Sequence, residues 1–158
     1  MSLVGAHKEL STAFVNAGYP DLSELSGEYL VNIVMVPGYR SFSHQKIFYR
    51  ANNKVLGYNV LFDKTWGHFS VQEGSVTAPD SLNVAVINYN RPENSFIIRR
   101  IRDYIRCVKR NTLYIGRAHY LVCGTPRFLG YFTLEKMVKE STVIPLYEGG
   151  EIPSFEEG

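Results

Sequence analysis

Residues 44–72 read HQKIFYRANNKVLGYNVLFDKTWGHFSVQ. Three runs rich in aromatic and apolar residues, His44–Ala51, Val55–Phe62 and Thr65–Gln72, are separated by Asn52-Asn53 and by Asp63-Lys64. Aromatic and β-branched side chains suit a pleated, half-buried surface. Asn and Asp tolerate positive φ better than other non-glycine residues, which is what a tight hairpin requires. The stretch therefore predicts three strands joined by two hairpins.

The same texture continues on both sides. Further strands are predicted over Gly27–Val36, Leu82–Tyr89, Phe96–Lys109, Thr112–Cys123 and Arg127–Lys136. Turn chemistry separates them: Pro37-Gly38, the segment from Gly74 to Ser81 with Pro79, Asn90-Arg91-Pro92-Glu93-Asn94, Arg110-Asn111 and Gly124-Thr125-Pro126. Eight consecutive strands with short connections favour an up-and-down antiparallel sheet, and closing it removes the exposed edges. One segment carries a competing pattern. Ile97, Ile98, Ile101, Tyr104, Ile105 and Val108 are also spaced for one face of a helix, with arginines opposite. The β-branched content and the continuation into Leu113-Tyr114-Ile115-Gly116 favour strand.

Ahead of the strands, Leu10, Ala13, Phe14 and Ala17 recur at spacings of three and four. They predict an amphipathic helix over residues 4–18 that stops at Gly18. Residues 139–158, with Pro145, Gly149-Gly150 and Pro153, carry no pattern and read as an irregular tail. A length of 158 residues fits one domain with its own core, so residues 1–158 are read as a single domain whose barrel spans 27–136.

Composition narrows the function classes. The chain is 45% hydrophobic and 20% charged, as a globular protein is. A formal charge of +2 is too small for a dedicated nucleic-acid binder, so no nucleic-acid partner is expected. Asn32 and Pro37 interrupt the best apolar run, so no transmembrane segment is predicted. No basic-then-apolar leader opens the chain, and a cytoplasmic location is the expectation. Cys107 and Cys123 do not make a disulfide framework, although a single bridge between them stays open. No cysteine and histidine cluster has zinc spacing, and no metal is expected.

Several short motifs then fall in a familiar order. Leu25-Ser26-Gly27-Glu28-Tyr29 opens the first strand, and His44-Gln45-Lys46-Ile47-Phe48, Gly57-Tyr58-Asn59 and Trp66-Gly67-His68-Phe69 follow. Ile101-Arg102-Asp103-Tyr104-Ile105-Arg106, Tyr114-Ile115-Gly116-Arg117 and Gly130-Tyr131-Phe132-Thr133-Leu134 complete the series. This order resembles the GXWXG-type lipocalin-like proteins of bacteria, with Tyr29 where that signature has tryptophan. The resemblance covers roughly residues 25 to 136. It implies a mainly β fold, an eight- to ten-stranded antiparallel barrel with a short N-terminal helix and an apolar interior. It implies no catalytic residues.

An eight-stranded barrel has an interior just wide enough to be filled by side chains or to hold one small ligand. Val60, Phe62, Phe69, Val71, Val84, Val86, Ile115, Phe132 and Leu134 supply apolar material for either outcome. The expected function is binding of a small apolar or amphipathic molecule, an acid included. The candidate contacts are His44, Asn59, Trp66, Asp103, Arg106, Arg117, His119 and Tyr131. Arginine recognises a carboxylate with two parallel hydrogen bonds, and an inward Asp103–Arg106 pair would anchor such a group. The basic run from Arg99 to Arg110 also reads as a solvated face, or as a basic amphipathic helix suited to anionic lipid or nucleic acid.

Two further functions stay open. One is a barrel enzyme of decarboxylase or isomerase type, with Arg106 or Arg117 holding an acid and Tyr58 or Tyr131 as proton donor. The other is an interaction module built on the basic segment. No cofactor is expected. Haem on one histidine is the cofactor alternative, without a Cys-x-x-Cys-His attachment signature. A homodimer is compatible with all of these.

Overall fold

The computed structural model describes residues 3–35, 41–76 and 81–138. Helix α1 spans Leu3–Asn16. Eight strands follow: β1 Gly27–Met35, β2 Ser41–Ala51, β3 Lys54–Leu61, β4 Lys64–Val76, β5 Leu82–Asn88, β6 Ile101–Lys109, β7 Leu113–Val122 and β8 Thr125–Lys136. Each strand pairs antiparallel with its sequence neighbour, and β1 pairs with β8 to close the barrel. The architecture is mainly β, an eight-stranded up-and-down antiparallel barrel, in keeping with a lipocalin-like fold. The expected tail, 139–158, lies outside the described residues, as do Pro37-Gly38 and Pro79 in the predicted turns.

Local chemistry accounts for the turns. Asn52 and Asn53 both adopt positive φ, 53° and 64°, as a two-residue hairpin demands. The next hairpin turns on Phe62 and Asp63, at 51° and 63°, one residue earlier than Asp63-Lys64. Phe62 is consequently 89% exposed and does not fill the barrel. The ambiguous segment resolves as one 3-10 turn, Ile98–Arg100, leading into β6, so no basic helix forms there. Its arginines mostly bind main chain. Arg99 donates to the carbonyls of Arg91, Pro92 and Asn94, and Arg102 to those of Arg99 and Ile101. Arg110 pairs with Glu24.

Two apolar clusters sit on opposite faces of the sheet. Inside, edge-on rings run from Tyr114 to Tyr29, Phe48, Phe69 and Tyr89, with centroids 5.4–5.8 Å apart. Leu25 and Leu134 join them at the end where β1 begins, so that half of the barrel is solid. Two of the rings depend on glycine partners. Gly57 pairs with Phe69 and Gly116 with Phe132, and a Cβ at either glycine would run into the ring. The Gly57 position also meets the carbonyl of Ile47, which cannot swing away.

Outside, α1 lies over β5 to β8. Phe14, Val84, Ile115 and Tyr131 form its core, with Val86, Tyr104 and Phe128 around them. Val84, Val86 and Ile115, expected in the barrel interior, belong to this second cluster instead. The reason is the two-residue period of a strand, which sends neighbours to opposite faces.

Replacing Gly57 with Ala is expected to lower stability by about 1–3 kcal/mol, because a rigid carbonyl and a buried ring must both shift. Chemical denaturation checks this. Gly124→Ala is the control, since open space surrounds Gly124, although its φ of 79° carries its own strain.

Candidate functional site in the barrel cavity

The other half of the barrel holds a cavity of about 170 Å³. Its walls differ from side to side. Val31 and Ile33 of β1, Ala118 of β7, and Leu129 and Phe132 of β8 make one side apolar, and Ile101 of β6 extends it. His44 and Lys46 of β2, Trp66 of β4, Tyr89 after β5 and Asp103 of β6 make the other side polar. Asn59 of β3 stands behind that side, fully buried.

A bulge shapes the polar side. Pairing between β3 and β4 slips between Gly57 and Asn59, where Gly67 sits at a φ of 61°. A bulge of this kind re-aims the side chains around it. Here it brings Trp66 to the cavity while the Gly67 carbonyl accepts from Asn59 Nδ2 at 3.0 Å. A second slip, between Ala118 and His119, accompanies the turn of Leu129 toward the cavity.

The polar groups form one connected network. Lys46 Nζ donates to Asn59 Oδ1 at 2.7 Å and to the Tyr89 hydroxyl at 2.6 Å. The Tyr89 hydroxyl donates to Asp103 Oδ2 at 3.1 Å, and Lys46 Nζ lies 3.9 Å from that same oxygen. His44 Nε2 is 3.1 Å from Asn59 Oδ1. The indole Nε1 of Trp66 is buried and donates to no group among the described residues.

Burial governs the acid–base state of this network, because a charged group loses its hydration there. It pushes Lys46 down to about 8, against the pull of Asp103 in the opposite direction. It raises Asp103 above the usual carboxylate range, with Lys46 and the Tyr89 hydroxyl drawing it back. Tyr89 is driven well above an ordinary phenol by burial and then by the Asp103 charge. His44 falls to about 4, first through burial and then through the Lys46 charge, with its Asn59 hydrogen bond partly opposing. The lysine and aspartate thus both move toward their neutral forms.

Of the residues proposed from sequence, His44, Asn59, Trp66 and Asp103 meet at this cavity. Arg106, Arg117, His119 and Tyr131 lie on the other face of the sheet, around the helix. Arg106 donates to the carbonyls of Phe14, Ala17 and Asn83, so it ties the C-terminal end of α1 to the barrel. It does not pair with Asp103, since positions three apart on a strand face opposite ways. Arg117 packs among the rings of Phe14, Phe128 and Tyr131. His119 stacks near Tyr104 and Phe128. Burial and the Arg117 charge push it to about 4, with a backbone hydrogen bond at Arg117 opposing. Cys107 is buried in the interior cluster and Cys123 is exposed in a turn, both as free thiols.

Sequence reasoning missed Lys46 and Tyr89. Both face inward, Lys46 beside His44 and Phe48, Tyr89 beside Ala85 and Ile87, and reading Val84 and Val86 as interior puts Tyr89 on the wrong face. The alternation in β2 was ambiguous because Ile47 and Tyr49 give its outer face an apolar look as well.

Among the described residues no group of three His, Cys, Asp or Glu side chains is arranged to hold a metal ion. No described helix is long and apolar enough to cross a membrane. The chain matches no protein-family model and no curated protein.

Folded His44 and His119 stay neutral down to about pH 4, whereas an unfolded histidine takes up its proton near 6.5. Between those values the unfolded chain binds more protons, so stability is expected to fall as pH drops from about 6.5 to about 4. Denaturant midpoints across that range should flatten in His119→Gln. Asp103, raised by burial, acts with the opposite sign in both proteins, so a pH dependence in His119→Gln identical to that of the wild type is what would contradict a buried neutral His119.

Proposed function

We propose that the barrel binds one small, neutral, mostly apolar molecule whose single polar group faces the β2 to β6 side. The observation that carries this reading is the two-sided cavity of about 170 Å³ beside a solid aromatic half. A ligand pocket is mainly apolar with a few polar groups that fix orientation. A cavity of about 150 Å³ lined by apolar side chains is enough to take up benzene. The expected guest is therefore about one ring in size, which leaves no support for the four-ring macrocycle of haem.

The acid form of the ligand finds less support than the neutral form. Asp103 already compensates the Lys46 charge, so an incoming carboxylate would meet a balanced pair. The two arginines proposed to receive it, Arg106 and Arg117, serve the helix side instead. A group that accepts a hydrogen bond, such as a hydroxyl or carbonyl, suits Lys46 and the indole N–H of Trp66. The order of motifs and the closed barrel support a place for the chain among the GXWXG-type proteins.

Trp66 is the single tryptophan of the chain, so its fluorescence reports on the cavity directly. Benzyl alcohol is expected to change Trp66 emission saturably and to raise the melting temperature, with benzoate at least about tenfold weaker. Ala118→Phe fills the apolar wall and should abolish the response, at a stability cost of about 1–3 kcal/mol for overpacking. Unchanged emission with benzyl alcohol, or an undiminished response in Ala118→Phe, would overturn the reading. Arg106→Met provides a contrast. It should lose about 2–3 kcal/mol of stability through its buried hydrogen bonds and leave ligand affinity unchanged.

A further inference from the structure

Seven lysines occur in the chain, and Lys46 is the one that lines the cavity among the described residues. Its side chain is 2% exposed, and its amine rests 4.8 Å from the centre of the Phe69 ring. Tyr89 and Asn59 hold the amine at hydrogen-bond distance, and Asp103 lies just beyond. A lysine whose only task was to neutralise Asp103 would do so equally well inside a packed core. Here it faces space of ligand size.

We infer that Lys46 captures a small aldehyde, aromatic or short aliphatic, as a reversible imine inside the barrel. The inference rests on the cavity reading above and assigns the chemistry of the ligand's polar group.

The step balances with the groups present. The lone pair of the neutral Lys46 amine attacks the carbonyl carbon. A C–N bond forms while the C=O π electrons move to oxygen. One proton passes from nitrogen to that oxygen by way of the Tyr89 hydroxyl, giving a carbinolamine. Its hydroxyl then departs as water with a proton from the Asp103–Tyr89 pair, and the nitrogen lone pair closes the C=N bond. The remaining N–H proton returns to that pair. Amine and aldehyde become imine and water, with no change in oxidation state.

Two features of the site favour this chemistry. A lysine becomes a nucleophile when an apolar pocket strips its hydration and leaves the amine neutral. With Lys46 at about 8, about one amine in ten is neutral at pH 7, against about one in three thousand for an exposed lysine. The Tyr89 hydroxyl also bridges the amine and Asp103, so a proton has a path between them.

The test is reductive trapping of the intact protein with benzaldehyde and cyanoborohydride at pH 7, read by intact mass and peptide mapping. Benzyl alcohol, which fits the same cavity but forms no imine, serves as competitor. The expected result is one adduct on Lys46, formed up to about 300-fold faster than on an exposed lysine, as the neutral fractions imply. Benzyl alcohol and Ala118→Phe should both suppress it, and Lys46→Gln should remove it. Should Lys46→Gln fail to fold, the wild-type map and the competition decide alone. If both compounds change Trp66 emission but Lys46 labels no faster than surface lysines, imine capture is overturned and the cavity reading stands. If neither compound changes Trp66 emission and Lys46 is not labelled, both fall.

Discussion

A closed barrel permits each strand only two faces, one toward the interior and one away from it, and successive residues must alternate between them. Almost every feature of this protein follows from that constraint. Asp103 and Arg106 belong to one strand, yet the first is committed to the cavity network and the second to the helix. Only a bulge relaxes the alternation. At Gly67 and near Leu129 the relaxation falls beside the cavity, where it adds one side chain to each wall.

The fold was legible for reasons that can be named. Asn52-Asn53 writes its turn in residues that adopt positive φ, and β-branched runs mark the strands on either side. Even the segment at Ile101–Lys109, whose spacing also suits a helix, resolved as strand once pairing with β5 and β7 was available to it. The site was legible only in part. His44, Asn59, Trp66 and Asp103 are polar residues within apolar runs, and such residues need a buried partner. Arg117, His119 and Tyr131 share that description but face the helix, and nothing local distinguishes the two faces. A second apolar layer outside the sheet makes both faces of β7 and β8 hydrophobic, so alternation loses its meaning there. Lys46 was hidden by the opposite prejudice, since a lysine is almost never fully buried unless paired.

The question of a filled or hollow barrel had the wrong form. The chain of rings from Tyr114 to Tyr89 fills one half, and the polar network lines the cavity that occupies the other. Phe69 belongs to both, as a member of the ring chain and as the surface under the Lys46 amine. Rigidity below the cavity bears on chemistry within it, because a group on a locked support is already in place when a partner arrives.

The junction between α1 and the barrel has a consequence of a different kind. Arg106 reaches the carbonyls of Phe14 and Ala17, and Gly18 and Cys107 exchange backbone hydrogen bonds at 2.7 and 2.8 Å. These hydrogen bonds come from the main chain of the helix end, so they set where that end lies. Side chains set which face turns inward: Phe14 packs with Val84, Ile115 and Tyr131, and its ring faces Arg106 and Arg117. Placement of the helix end and choice of its buried face thus rest on separate chemistry. Drift on the solvent side of the helix leaves both intact.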